Sequence, residues 1–196
     1  MTRIASASRC SGPFHEAHLP LLRRFGHHQT TLRFLNLSDA ARLGAFFSSH
    51  TPDTIHGRYG MFVRLSLEQI LRLVGVDQSR DCALGVSEGH PEELIAVGRY
   101  CLSPDHRSAE VAFVVSENRR RLGIATTLLE VLIGIACERG LTTLTAHEYT
   151  NHAMREVLHY AGAGPKVGPL ADDPEVTLEL EILPRAAPPA AIFQEH

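Results

Sequence analysis

Ala109-Glu110-Val111-Ala112-Phe113-Val114-Val115-Ser116-Glu117-Asn118-Arg119-Arg120-Arg121-Leu122-Gly123-Ile124-Ala125-Thr126 is the stretch from which the rest of the chain can be read. An apolar strand runs into a basic turn, and the turn runs into a helix. The first N–H groups of a helix have no intrahelical acceptor and carry partial positive charge. A pyrophosphate can be held there by main-chain donors. Gly123 lets the backbone approach such a ligand, and Ala125 is small enough not to block it. Arg119, Arg120 and Arg121 add positive charge beside the phosphates. By pattern alone, an ordinary strand–turn–helix with a solvated basic turn remains open.

Downstream, Ala125, Leu128, Leu129, Leu132, Ile133 and Ala136 keep helical spacing, and Gly140 can end that helix. Residues 141–146 form the next strand, 151–160 a short helix and 176–183 a half-buried strand stopped by Pro184. Upstream, residues 82–87, 94–102 and 109–115 form a three-strand meander. Residues 31–35 are a short strand, and Ser38-Asp39 opens a helix carrying Leu43, Phe46 and Phe47. Ser66 and Gln69 have the spacing of a capping box. The order strand, two helices, three strands, helix, strand, helix, strand predicts a mixed α/β single domain over residues 31–183. Residues 1–30 are read as an extension that packs on the domain in part, and residues 184–196 as a flexible tail.

The 196 residues fit one domain, and a formal charge of −3 gives no basic field for nucleic acid. No apolar run approaches the roughly 18 residues of a membrane span. The four cysteines, Cys10, Cys82, Cys101 and Cys137, form no C-x-x-C pair. They suggest buried thiols in a reducing compartment, hence a cytoplasmic location. The twelve histidines show no metal-ligand spacing, so no metal is expected.

Residues 120–125 (RRLGIA) match the R/Q-x-x-G-x-G/A signature of the GNAT acyltransferases, and Val115 lies five residues before Arg120 as in that family. Asn151-His152-Ala153-Met154 followed by Gly162 resembles the family's later N-x-x-M…G segment. Ala109-Glu110-Val111-Ala112, Leu32-Arg33 with Ser38-Asp39, and Arg58-Tyr59-Gly60-Met61-Phe62 are more narrowly similar to the Pat-type protein lysine acetyltransferases. The resemblance implies a central, mostly antiparallel sheet flanked by helices. It implies acetyl-CoA as co-substrate, without a metal. Main-chain groups of Val114 and Val115 would hold the pantetheine and thioester. Arg120, Arg121, Gly123, Ile124, Ala125 and Thr126 would hold the phosphates, and Asn151 the coenzyme arm. Glu110 would be the general base, with Arg58 and Tyr59 shaping the acceptor mouth. The chain departs from the pattern at Leu122, at Leu158 where many members carry a tyrosine, and at Gly162-Ala163 in place of G-F.

Such an enzyme acts by direct attack of a neutral amine on the acyl carbonyl. Acceptors of two kinds are consistent with the sequence, a protein lysine or a small amine. A third reading is an acyl-CoA-binding regulator without turnover. Neither nucleic acid nor membrane is expected as a partner, and the chain is expected to be a monomer or homodimer.

Overall fold

The computed structural model describes residues 16–51, 65–148, 152–165 and 176–182. Their strands form one sheet in the order β1-β2-β3-β4-β5-β6-β8-β7. These are β1 Leu21–Phe25, β2 His28–Phe34, β3 Cys82–Glu88, β4 Glu93–Leu102, β5 Ser108–Val115, β6 Thr143–Glu148, β7 Gly164–Pro165 and β8 Val176–Glu181. Every pairing is antiparallel except that of β5 with β6. The helices are α1 Ala40–Ser48, α2 Leu67–Val74, α3 Ile124–Glu138 and α4 His152–Tyr160. The fold is thus mixed α/β with a mostly antiparallel sheet.

Two apolar layers cover the sheet. On one face α3 packs Leu128, Leu129, Leu132 and Ile135 against Leu84, Val86, Tyr100, Val111 and Phe113. Gly98 of β4 sets how close the helix lies, because a Cβ there would stand 3.2 Å from Leu132 Cδ1 and 3.3 Å from Leu128 Cδ2. On the other face Leu43, Phe46 and Phe47 of α1 and Ile70 and Val74 of α2 pack on Ala83, Val97 and Val114. The end of α3 follows its sequence. Leu141 N–H donates to the Ala136 carbonyl and Gly140 N–H to the Cys137 carbonyl, with Gly140 at φ 79°. That paired closure is the Schellman motif.

The amino-terminal boundary differs from expectation. Residues 16–30 supply a 3-10 turn, β1 and the start of β2, so the sheet begins at Leu21 rather than at residue 31. The stretch LLRRF shows no period-two signal because β1 is an edge strand, with Phe25 alone of its five residues buried. Arg139 ties this segment down. Its guanidinium donates to Glu16 Oε2 at 3.0 Å, to the Asp81 carbonyl at 2.9 Å and to the Tyr100 hydroxyl at 2.9 Å.

α1 starts on a buried ion cluster. Asn36 caps the turn that leads into it, accepting from Ser38 N–H, while Asp39 accepts from Asn36 N–H. Arg33 donates to both carboxylate oxygens of Asp39 at 2.8 Å, and Arg42 adds a third bond at 3.1 Å. The Arg33 guanidinium holds the Asp39 carboxyl below the usual range against the opposing effect of burial, with Asn36 N–H and Arg42 assisting. Ser66 and Gln69 form the capping box of α2 that their spacing predicts.

Cys82 and Cys101 are free thiols. Cys137, expected as a buried thiol, is instead disulfide-bonded.

Candidate active site

The site begins where two neighbouring strands part. β5 is paired with β4 from Ala109 to Val115. Its parallel pairing with β6 covers Ser108, Ala109 and Glu110 and stops there, while β6 continues beside β8 to Glu148. Ser116 N–H donates to the Ile95 carbonyl at 2.9 Å. The alternation of an antiparallel ladder then turns the main-chain groups of Ala112 and Val114 toward β4 and those of Val111, Phe113 and Val115 toward the gap. Val115 therefore presents its main chain to the gap. Val114 lines the space, but its main-chain groups belong to the ladder with Val97.

A cleft of about 450 Å³ fills the gap. Phe113, Val114 and Val115 form one wall, and the start of α3 forms its floor. Gly123 is the N-cap of α3 in the left-handed conformation, φ 86°, with no side chain capping the helix. A Cβ at Gly123 would meet nothing within 4 Å. The first bond into the helix is Thr127 N–H to the Gly123 carbonyl, which leaves the N–H groups of Ile124, Ala125 and Thr126 without helical acceptors at the cleft wall. Donors and open space at one helix terminus fit a phosphate-bearing ligand such as coenzyme A. Arg121 has a positive φ of 64°, the second left-handed residue in this turn.

The arginines divide their tasks. Arg120 lines the cleft. Arg121 reaches across to α4 and meets Glu156 at 3.2 Å, both largely exposed. Arg119 is turned onto Glu88 at the end of β3, its Nε 2.9 Å from Oε1, rather than left as a loose surface charge. The opposite wall consists of Glu156, Val157 and Tyr160 of α4. These three were not legible in advance; their 156, 157, 160 spacing marks one helical face, but nothing local says what that face meets. Leu158, at the position where many relatives have tyrosine, points into the core and is 1% exposed.

Glu110 lies on the last rung joining β5 to β6, opposite Cys101 on β4 and Thr145 on β6. Its side chain is exposed and is not part of the cleft lining. By strand alternation it shares a face with Val114, the α1/α2 face, so it stands at the edge of the gap. Asn151, Arg58 and Tyr59 lie outside the described residues. The segment holding Arg58 and Tyr59 is approached at Thr51, whose N–H and hydroxyl donate to Glu117 Oε1 at 3.0 and 2.7 Å, beside the basic turn. Among the described residues no cluster of His, Cys, Asp or Glu could hold a metal ion, and no helix is long and apolar enough to cross a membrane.

Comparison with known proteins agrees with this geometry. The model of the Acetyltransferase (GNAT) family matches residues 51–162, more than half of the chain. No curated protein matches the sequence. The GNAT domain of S. lividans PAT has a similar structure, with TM-score 0.73 and 27% identity over 82% of this chain and 94% of that one. A cAMP-binding acyltransferase from Mycobacterium smegmatis aligns at TM-score 0.58 and 25% identity, covering 84% of this chain and 48% of that longer one. The fold of yncA from Salmonella typhimurium, solved with its cofactor acetyl-CoA, aligns at TM-score 0.62 with 18% identity over 82% of this chain and 98% of that one. A strand parted from its neighbour, a glycine-started helix at the foot of the gap and a family match across both make this chain a member of the GNAT acetyltransferase family.

Proposed function

We propose that the protein transfers an acetyl group from acetyl-CoA to a lysine side chain of a protein, with Glu110 as general base. The observation that carries the reading is the uncapped, glycine-started α3 opening onto the gap between β5 and β6. Bound acetyl-CoA supplies an acyl group already activated as a thioester. The N–H groups of Ile124, Ala125 and Thr126, with Arg120 and Arg121 beside them, hold its phosphates. Asn151 contacts the coenzyme arm.

A lysine amine has a pKa of about 10.4 and is protonated at neutral pH. Glu110 takes that proton, directly or through one water, so the neutral nitrogen can attack. The Val115 N–H, turned toward the gap, donates to the acyl oxygen as negative charge develops there, and the C–S bond then breaks, the coenzyme A thiolate leaving and taking up a proton. A cysteine nucleophile is not needed. Cys82 is fully buried, and burial pushes its thiol up to about 12, which keeps it protonated.

A protein acceptor is supported by the resemblance to Pat-type enzymes and by the likeness to the S. lividans PAT domain. The exposed position of Glu110, outside the cleft, also suits an amine delivered on another surface. Replacement of Glu110 by Gln should leave acetyl-CoA affinity unchanged and slow transfer by roughly 10²–10⁴. Equal turnover by the variant removes Glu110 from the mechanism. Thiol release should be faster with a mixed protein extract than with free amines. The reverse order replaces the lysine acceptor with a small molecule, and acetyl-CoA binding without release for either acceptor leaves a regulator.

A further inference from the structure

Arg119 lines the cleft, yet its charge is already engaged. Its Nε and Nη2 both donate to Glu88 Oε1, and its Nη1 donates to the Asn118 carbonyl at 3.3 Å. Both side chains are mostly buried, 22% and 15% exposed. Glu88 is not part of the cleft lining, so its carboxylate stands behind a residue that is.

Glu88 is in turn approached from the amino-terminal side, where its second carboxylate oxygen is buried without a hydrogen-bond partner. It closes β3, opposite Thr30 of β2 and Glu93 of β4. His28 Nδ1 stands 3.0 Å from its second oxygen. The turn of the same hairpin abuts the basic turn, since a Cβ at Gly26 would lie 3.7 Å from Leu122 Cδ2. The β1–β2 hairpin thus meets Glu88 at His28, a salt bridge only when His28 is protonated, and meets the cleft-forming turn at Leu122.

A guanidinium has five N–H donors in a rigid plane. With Nε and Nη2 on a carboxylate and Nη1 on a carbonyl, it keeps two N–H donors, one on each Nη, and has less rotamer freedom left to lose when a ligand arrives. We propose that Glu88 is a positioning residue for the coenzyme. It fixes the Arg119 guanidinium in the cleft wall for a phosphate group, and the β1–β2 hairpin backs it through His28 and Gly26. The proposal rests on the reading of this cleft as the coenzyme site.

The test uses the full chain and two ligands, coenzyme A and the phosphate-free donor S-acetylpantetheine. Glu88→Gln should weaken coenzyme A binding by roughly tenfold, the loss of about one charged hydrogen bond. Transfer from S-acetylpantetheine should be unchanged, which a general loss of structure would not permit. Because Glu88→Gln also removes a buried ion pair, Arg119→Gln serves as the second variant. It should lose affinity to a similar extent, and the double variant should bind no more weakly than either single one. Unchanged affinity in Arg119→Gln, additive losses in the double variant, or equal losses with both donors would each overturn the proposal. Failure of the unaltered protein to bind coenzyme A would instead overturn the assignment of the cleft.

Discussion

Two helices of this protein begin in opposite ways. α1 continues a 3-10 turn that Asn36 caps, so its start is closed by its own chain, with Asp39 held there by Arg33 and Arg42. α3 starts with a left-handed glycine, no capping side chain and open space in front of it. An N-cap serine, threonine or aspartate is worth about 1 kcal/mol over alanine and only about a few tenths over glycine, so the glycine start forgoes a little stability. The difference separates a terminus built to hold the fold from one kept available to a ligand. α2, capped by Ser66 and Gln69, belongs with α1.

The contrast can be broken by closing the open terminus. Gly123→Asp adds a carboxylate where phosphates are to sit, and like charges so placed cost several kcal/mol. Coenzyme A affinity, measured calorimetrically, should fall by roughly a hundredfold or more, with a modest change in melting temperature from the strained φ. Unchanged affinity would dissolve the distinction between the two starts.

Opening the closed terminus should have the converse result. Asp39→Asn takes the fully buried carboxylate from Arg33 and Arg42, which keep Glu92, and should cost about 2 kcal/mol by denaturant unfolding. Coenzyme affinity should not change. The same carboxylate gives a pH signature. Its folded pKa lies below the unfolded value of 3.8, so its contribution is complete above 3.8 and is lost as pH falls through the depressed folded value. Acid unfolding of Asp39→Asn should lack that component. The smallest effect is expected at α2, where Ser66→Ala should cost about 1 kcal/mol and leave ligand binding alone. A loss of coenzyme affinity there would blur the contrast.

What the sequence made legible follows the range of the interaction that produces it. The start and end of α3, the capping box of α2 and the meander are set by neighbours a few residues apart, and they appear where the pattern puts them. β1 was missed because an exposed edge strand has no alternation to show. The Arg119–Glu88 pair joins residues 31 apart in sequence, and the Arg121–Glu156 pair joins residues 35 apart. No local pattern names such partners. The three arginines therefore read alike in the sequence, and folding gave them different surroundings. Glu110 was named from a resemblance; its exposed place at the parting of β5 and β6 could not be inferred from composition or period.

The parting of these strands has a mechanical meaning. β6 meets β5 over three rungs and β8 over six. The sheet is thus two plates, β1 to β5 and β6 to β8, with a short seam between them. The cleft takes β5 and α3 from one plate and α4 from the other. Along the described chain, the crossing from plate to plate runs through the Gly140 turn. A chain severed there would leave each fragment with part of the walls and part of one shared core, in which Leu144, Leu158 and Leu180 pack with α3 and β5.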